Sequence, residues 1–145
     1  MVGVGPGGSA AAAACAQAGI GPVLLLDRAA FPRYKPCGSA VSNKALEELA
    51  RVGAGKTIEA VGQPLDNARI TSPDGITLTL PGRRGFVVNR SPLDQLLVDA
   101  ASAAGVEFVD GARVKALVRD GDGRVSHPVQ HLRPLRGSPR RARGR

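Results

Sequence analysis

Val2-Gly3-Val4-Gly5-Pro6-Gly7-Gly8-Ser9 opens the chain, an alanine run follows, and Pro22-Val23-Leu24-Leu25-Leu26-Asp27 comes next. The order reads as strand, glycine turn, helix, apolar strand and acidic residue, the front half of a dinucleotide-binding unit. Gly3, Gly5 and Gly8 fit the G-x-G-x-x-G spacing, and each has its own task. The first permits a tight turn because a residue without Cβ can take φ > 0. The second removes a side chain where backbone must approach a pyrophosphate, and the third lets the helix lie close to the sheet. The helix then presents unpaired N–H groups and its positive end to the phosphates. Asp27 stands 19 residues past Gly8, near the spacing of about 20 expected for a carboxylate that accepts a ribose hydroxyl.

Working outward, the helix is expected over Ser9–Ala18, small on every side and therefore buried against the sheet, with Gly19 and Gly21-Pro22 as its stop. Cys15 on that helix reads as a small buried apolar residue. Val23–Asp27 is an unbroken apolar run of the kind found in buried parallel strands. Met1–Val4 is short against a mean strand of about 5–6 residues, so two to four further residues are expected upstream. A loop rich in proline, cations and aromatics follows from Arg28 to Ala40. A helix is expected from about Ser42 to Val52, capped by Ser42 or Asn43 and ended by Gly53 and Gly55. Ala68–Ser72 and Ile76–Leu80 alternate around Pro73-Asp74-Gly75 as a hairpin, and Phe86–Arg90 reads as a further strand. Ser91–Ala104 is expected as a helix with Ser91 as N-cap, Pro92 at the first helical position and Leu93, Leu96, Leu97 and Ala100 as its stripe. Val106–Val109 and Arg113–Val118 are strands, with Asp120–Gly123 as the turn beyond them.

Composition sets the outer bounds. The 145 residues are one domain's worth. Aromatics make up only 3% and Trp is absent, so the core must come from Ala, Val, Leu and Ile. No apolar run reaches the ~18 residues of a spanning helix, and no charged-then-apolar leader opens the sequence. Two cysteines, Cys15 and Cys37, make no disulfide framework, so a reducing cytosol is expected. Of the net charge of +8, residues 1–125 carry 14 Lys/Arg against 12 Asp/Glu, while 126–145 carry six Arg and no acid. The basic character belongs to the tail, and no aromatic is interleaved there to stack bases, so nucleic acid is not the expected partner. His127 and His131 lack a third ligand, so no metal site is read there.

Over residues 1 to about 125 the chain resembles the geranylgeranyl reductase family of flavoproteins, within the p-hydroxybenzoate-hydroxylase-like FAD-dependent oxidoreductases. The residues that carry the resemblance are the Gly3–Ser9 turn, Leu25-Leu26-Asp27-Arg28, Phe31-Pro32-Arg33 with Lys35-Pro36-Cys37-Gly38, and Val88-Asn89-Arg90-Ser91-Pro92-Leu93-Asp94. Ala104-Gly105-Val106 and Gly111-Ala112-Arg113-Val114 also fit. The resemblance implies an α/β fold: a Rossmann-like FAD-binding βαβ sheet with a small inserted β segment. Residues 1–64 and 91–125 would be the two parts of the FAD-binding domain, 65–90 the insert, and 126–145 a disordered basic tail. A later flavin-contacting segment and a substrate-binding sheet belong to the family and are not found before residue 145, so the chain reads as incomplete.

The resemblance further implies FAD as cofactor, with Gly3, Gly5, Pro6, Gly7, Gly8, Ser9, Asp27 and Arg28 at the nucleotide end. Arg33, Cys37, Gly38 and Arg90 would lie toward the flavin. Cys37 would line the active site and help protonate the carbon opposite hydride delivery, with Lys35 and Arg33 as neighbours able to lower its thiol pKa. The implied chemistry is reduction of polyprenyl C=C bonds, with NAD(P)H as a possible electron donor and peripheral membrane contact in the full-length form. Three other readings share some of these residues: another flavin-dependent monooxygenase or halogenase, a plain NAD-binding module, and a non-enzymatic nucleotide-binding fragment.

Overall fold

The computed structural model describes residues 1–132. At its centre β1 (Leu24–Leu26) and β5 (Glu107–Val109) pair in parallel, with Leu25 opposite Phe108. On the other edge of β1 the opening residues run alongside through a single parallel bridge, Val2 to Leu26. Gly3 N–H donates to Leu26 O at 2.8 Å, and Leu26 N–H to Met1 O at 3.0 Å. The expected first strand is thus present as a stub rather than a full strand.

The chain leaves that stub through Gly3 at φ +95° and enters α1 (Pro6–Gln17) with Gly5 as N-cap. The helix starts three residues ahead of the expected Ser9 because Pro6 fits the first helical position, where no N–H is needed. It is also not buried all round. Ser9, Ala12 and Ala13 face inward, whereas Ala11 and Ala14 are exposed and Cys15 is half-buried. An all-small helix carries no polar stripe to reveal which side faces water. Its inner face packs against α4 (Arg90–Ala103), and the two helices share one core with Val4, Leu25 and Val106. Leu93, Leu97, Val98 and Ala101 are the buried apolar residues of α4, with Leu96 and Ala100 at the margin.

α4 begins one residue before the expected cap. Asn89 is the N-cap and accepts the first helical hydrogen bond, Leu93 N–H to Asn89 O at 3.1 Å. Asn and Ser are both good caps, and Pro92 is tolerated anywhere in a first turn whose N–H groups have no intrahelical acceptor. The strand expected over Phe86–Arg90 accordingly ends at Val87.

A second, antiparallel sheet has the order β2-β4-β3. It comprises β2 (Ala40–Ser42), β3 (Gln63–Thr71) and β4 (Thr77–Val87). β4 joins two runs expected to be separate, and β3 starts well before Ala68. The hairpin turn forms over Ser72–Ile76, where Ser72 N–H donates to Ile76 O at 2.8 Å and Ser72 Oγ accepts from Ile76 N–H at 3.1 Å. Gly85 has φ +137°, and a Cβ there would sit 1.9 Å from Val41 O, so its glycine is what lets β2 close on β4.

Between β2 and β3 lie α2 (Asn43–Arg51) and α3 (Gly55–Val61). Ser42 caps α2, its Oγ accepting from Ala45 N–H at 3.2 Å. Gly53, at φ +85°, ends α2 as expected. Gly55 instead starts α3, where a Cβ would come within 2.7 Å of Ala50 Cβ, and it is packed there as a close-approach residue. Ile58 of α3 is fully buried.

The last pair is β6 (Ala112–Arg119) with β7 (Val125–Leu132), antiparallel. Residues 126–132, expected within the disordered tail, are therefore an ordered strand. Its weak apolar content and Pro128 suit a strand that, among the described residues, is paired on one side. The arginines from Arg133 onward lie outside the described residues. No helix among the described residues is long and apolar enough to cross a membrane.

Candidate functional site

Everything converges on the glycine turn. Gly8 is pressed against it: a Cβ on Gly8 would lie 2.0 Å from Gly3 O. The start of α1 carries no side-chain cap and no acidic residue in its first turn, so its N–H groups and positive end are available to an anion. Gly7 is exposed there, and Ser9 is buried beneath with a hydroxyl that has no hydrogen-bond partner among the described residues.

Asp27, at the end of β1, is nearly buried, and one carboxylate braces two segments. Oδ2 accepts from Val4 N–H at 2.8 Å and Oδ1 from Ala29 N–H at 2.8 Å. A carboxylate has about four acceptor sites, so these two bonds leave room for a hydroxyl. Asp27 lines a cleft of about 870 Å³ together with Gly3, Gly5, Arg28, Arg33 and Arg113. Such a volume suits a bound small molecule.

Arg33 turns inward from the loop. Its Nη2 donates to Val4 O at 2.6 Å and lies 3.2 Å from Asp94 Oδ2 and 3.8 Å from Asp27 Oδ2. The guanidinium stacks 5.1 Å above the Phe31 ring, a cation–π placement that Lys would make less well. Phe31 meets Phe108 edge-on at 5.2 Å, and its N–H donates to Asp110 at 2.9 Å. The loop from Arg28 to Ala40 is thus tied to the parallel strands at several points.

A second cleft of about 420 Å³ lies on the other side of that loop, lined by Lys35, Cys37, Ser39, Asn89 and Arg90. Tyr34 and Lys35 line both clefts and stand between them. Gly38 follows Cys37 on the exposed side of the loop. Arg90 is nearly buried and forms a fork on Asp94, Nε to Oδ1 at 2.9 Å and Nη2 to Oδ2 at 2.9 Å. The same Nη2 lies 3.7 Å from the position of a Gly5 Cβ, so Arg90 reaches from the thiol side of the loop to the glycine turn.

Cys37 is exposed. The Ser39 backbone N–H above all, and then the Arg90 guanidinium, hold its thiol below the ordinary cysteine range. Ser39 sits at φ 61°, a conformation uncommon outside glycine. The cation at the thiol is therefore Arg90; Arg33, expected in that part, is engaged with Val4 O and Asp94. Arg90 in turn is pushed further up by Asp94 first and by Cys37 next. Sequence reasoning missed Asp94, which is fully buried. The signal for it was present in the Arg90/Asp94 spacing of four on one helix face.

Residues 1–132 match the sequence profile of the FAD binding domain. The chain belongs to that family. The cofactor such a domain holds is FAD, and the residues fit it: an uncapped helix start, a turn with glycine at Gly3, Gly5, Gly7 and Gly8, and a cationic cleft beside a carboxylate. Among curated proteins, the menaquinone reductase of Mycobacterium tuberculosis is 37% identical over 130 residues, 86% of this chain and 31% of the relative. The geranylgeranyl diphosphate reductase of Rhodobacter capsulatus is 36% identical over 113 residues, 77% and 27% of the two chains. This FAD-binding chain spans about a third of the length of such relatives. Its fold is shared with a geranylgeranyl bacteriochlorophyll reductase-like protein from Thermoplasma acidophilum, with a TM-score of 0.77, 24% identity, and coverage of 89% and 33%. A flavin-dependent brominase has the same fold, with a TM-score of 0.75, 24% identity, and coverage of 90% and 34%.

Proposed function

We propose that this chain is the FAD-holding part of a reductase that saturates isolated C=C bonds in a polyprenyl chain. The observation that carries the reading is the placement of Arg90 between the glycine turn and Cys37. It joins a nucleotide cleft to a cleft that ends in an exposed, acidified thiol. The curated relative named geranylgeranyl diphosphate reductase supports the substrate class.

In this reading the N–H groups at the start of α1 take the pyrophosphate, with Arg28 and Arg33 adding charge, and Asp27 accepts a ribose hydroxyl. FAD, when bound and reduced, supplies hydride to one alkene carbon. Cys37 Sγ gives its proton to the other carbon. The Ser39 N–H and the Arg90 guanidinium then balance the thiolate, which regains its proton from solvent because Cys37 is exposed. NAD(P)H is the proposed source of electrons, and a membrane-soluble prenyl substrate implies peripheral membrane contact for a cytoplasmic protein.

The test is in two steps. FAD is first titrated onto the 145-residue chain by quenching of flavin fluorescence, with NAD as competitor. The reduced complex is then mixed anaerobically with a geranylgeranyl compound. Tight FAD binding and a product heavier by two hydrogens per double bond are expected, with slower conversion in Cys37→Ala. A colourless chain that retains NAD overturns the reading, as does a reduced flavin that spares the alkene anaerobically and, in a parallel aerobic mixture with halide, consumes oxygen and halide.

A further inference from the structure

We infer that Asp94 is a positioning residue, one buried carboxylate that sets Arg33 at the first cleft and Arg90 at the second. Asp94 is 0% exposed in α4 and meets three guanidinium nitrogens: Arg90 Nε and Nη2 at 2.9 Å each, and Arg33 Nη2 at 3.2 Å. Asp27, 3.8 Å from Arg33, closes the series. The chain of charges Asp27–Arg33–Asp94–Arg90 therefore runs from the end of β1 to Cys37 with two of each sign.

A surface ion pair would not hold two long side chains in place. A fully buried carboxylate does, because moving either partner leaves it short of the donors that offset its desolvation. Arg33 then cannot swing outward, and its Nη2 stays on Val4 O, bracing the turn on which the nucleotide reading depends. Arg90 is held with its guanidinium against both Gly5 and the thiol. The fork matters, since only a planar guanidinium takes both carboxylate oxygens at once. The purpose assigned to Asp94 rests on the flavin reading, but the geometry does not.

The experiment follows alkylation of Cys37 by iodoacetamide against pH in the cofactor-free 145-residue chain, with Cys15→Ser as background. The charged and titratable groups facing the thiol are Tyr34 and Lys35 from the loop and Arg90 from α4, and Asp94 lies behind Arg90. Positioning and simple charge balance predict opposite signs for Asp94→Asn. If Asp94 aims Arg90, the guanidinium drifts away and the midpoint of the pH–rate curve rises. At a pH below the midpoint, each unit of rise slows alkylation by about threefold, because the tenfold loss of thiolate is partly offset by its greater nucleophilicity. If Asp94 only neutralises Arg90, its loss leaves a stronger cation at the thiol and the midpoint falls. A fall or no change overturns the inference.

Arg90→Lys keeps the charge without the fork and is expected to match Asp94→Asn, and the double variant to add nothing further. Independent, additive shifts would also overturn it. Should Asp94→Asn lose its cooperative unfolding transition, Asp94→Glu keeps the charge, displaces the fork by a methylene and is read by the same curve. FAD titration of these variants separates the two conclusions. A parent chain that binds no FAD defeats the flavin reading alone, whereas an unshifted thiol curve defeats the role of Asp94 alone.

Discussion

The parallel layer and the β3–β4 hairpin have equally clear sequence patterns and opposite fates. In the first, Val4 and Leu25 are fully buried, and Leu97 and Ala101 close over them from α4. In the second, nine- and eleven-residue strands pair in long register. Yet Ile70, Ile76 and Leu78 are 57%, 74% and 55% exposed. Alternation of apolar and polar residues marks a face that can be covered; whether it is covered depends on what else packs there. The hairpin is held by its backbone ladder and its turn, while the parallel layer is held by burial.

That contrast is sharpest in a pair of truncations. Leu97→Ala removes a buried side chain and is expected to cost about 2–5 kcal/mol, the usual range for such cavities. Leu78→Ala, more than half exposed, is expected to stay within about 0.5 kcal/mol. Urea unfolding of both variants reads the difference. Equal costs would mean that the hairpin face is covered in solution.

A smaller effect separates two adjacent glycines in α1. Gly8→Ala forces a Cβ to within 2.0 Å of Gly3 O, and overpacking of that kind costs about 1–3 kcal/mol. FAD affinity should fall with it, since the turn must open. Gly7→Ala meets nothing within 4 Å and should stabilise the apo chain by a few tenths to about 1 kcal/mol through helix propensity. Thermal melts of the two variants are expected to move in opposite directions. A Gly8→Ala chain as stable as the parent would show that the helix is not pressed on the turn.

These two glycines also show why part of the site was legible in the chain. The tasks of Gly3 and Gly8 are local, set by a backbone angle and a close approach within six residues, and motif spacing captures both. The cap at Ser42 and the apolar strand ending in Asp27 are local in the same way. The four-charge network was harder to see, because Asp94 and Arg33 are brought together by tertiary packing. On a helix stripe Asp94 counts as an outward polar residue, yet it is among the most buried in the molecule. α3 was hidden because Gly55 looks like a stop after Gly53, when its lack of a side chain serves contact with Ala50. β7 was hidden because a strand paired on one side needs little apolar content.

The smallest expected effect concerns the loop that joins the two regions, exposed like the hairpin and tied down like the parallel layer. Its marker is Cys37, whose thiol is held below the ordinary range mainly by the Ser39 N–H and then by Arg90. A depressed pKa means that the thiolate persists to lower pH and is lost as pH falls through the lowered value. In the folded parent, alkylation of Cys37 should therefore reach half its maximal rate at lower pH than in the same chain unfolded in urea. Ser39→Gly keeps the N–H and accepts φ 61° without strain, so it should leave the midpoint where it was. Added salt should raise the midpoint only slightly, because it screens the ionic share from Arg90 and not the backbone hydrogen bond. A midpoint that coincides in folded and unfolded chains would place this loop with the hairpin, exposed and without an imposed geometry. A midpoint that follows salt steeply would make Arg90, rather than the Ser39 N–H, the principal cause.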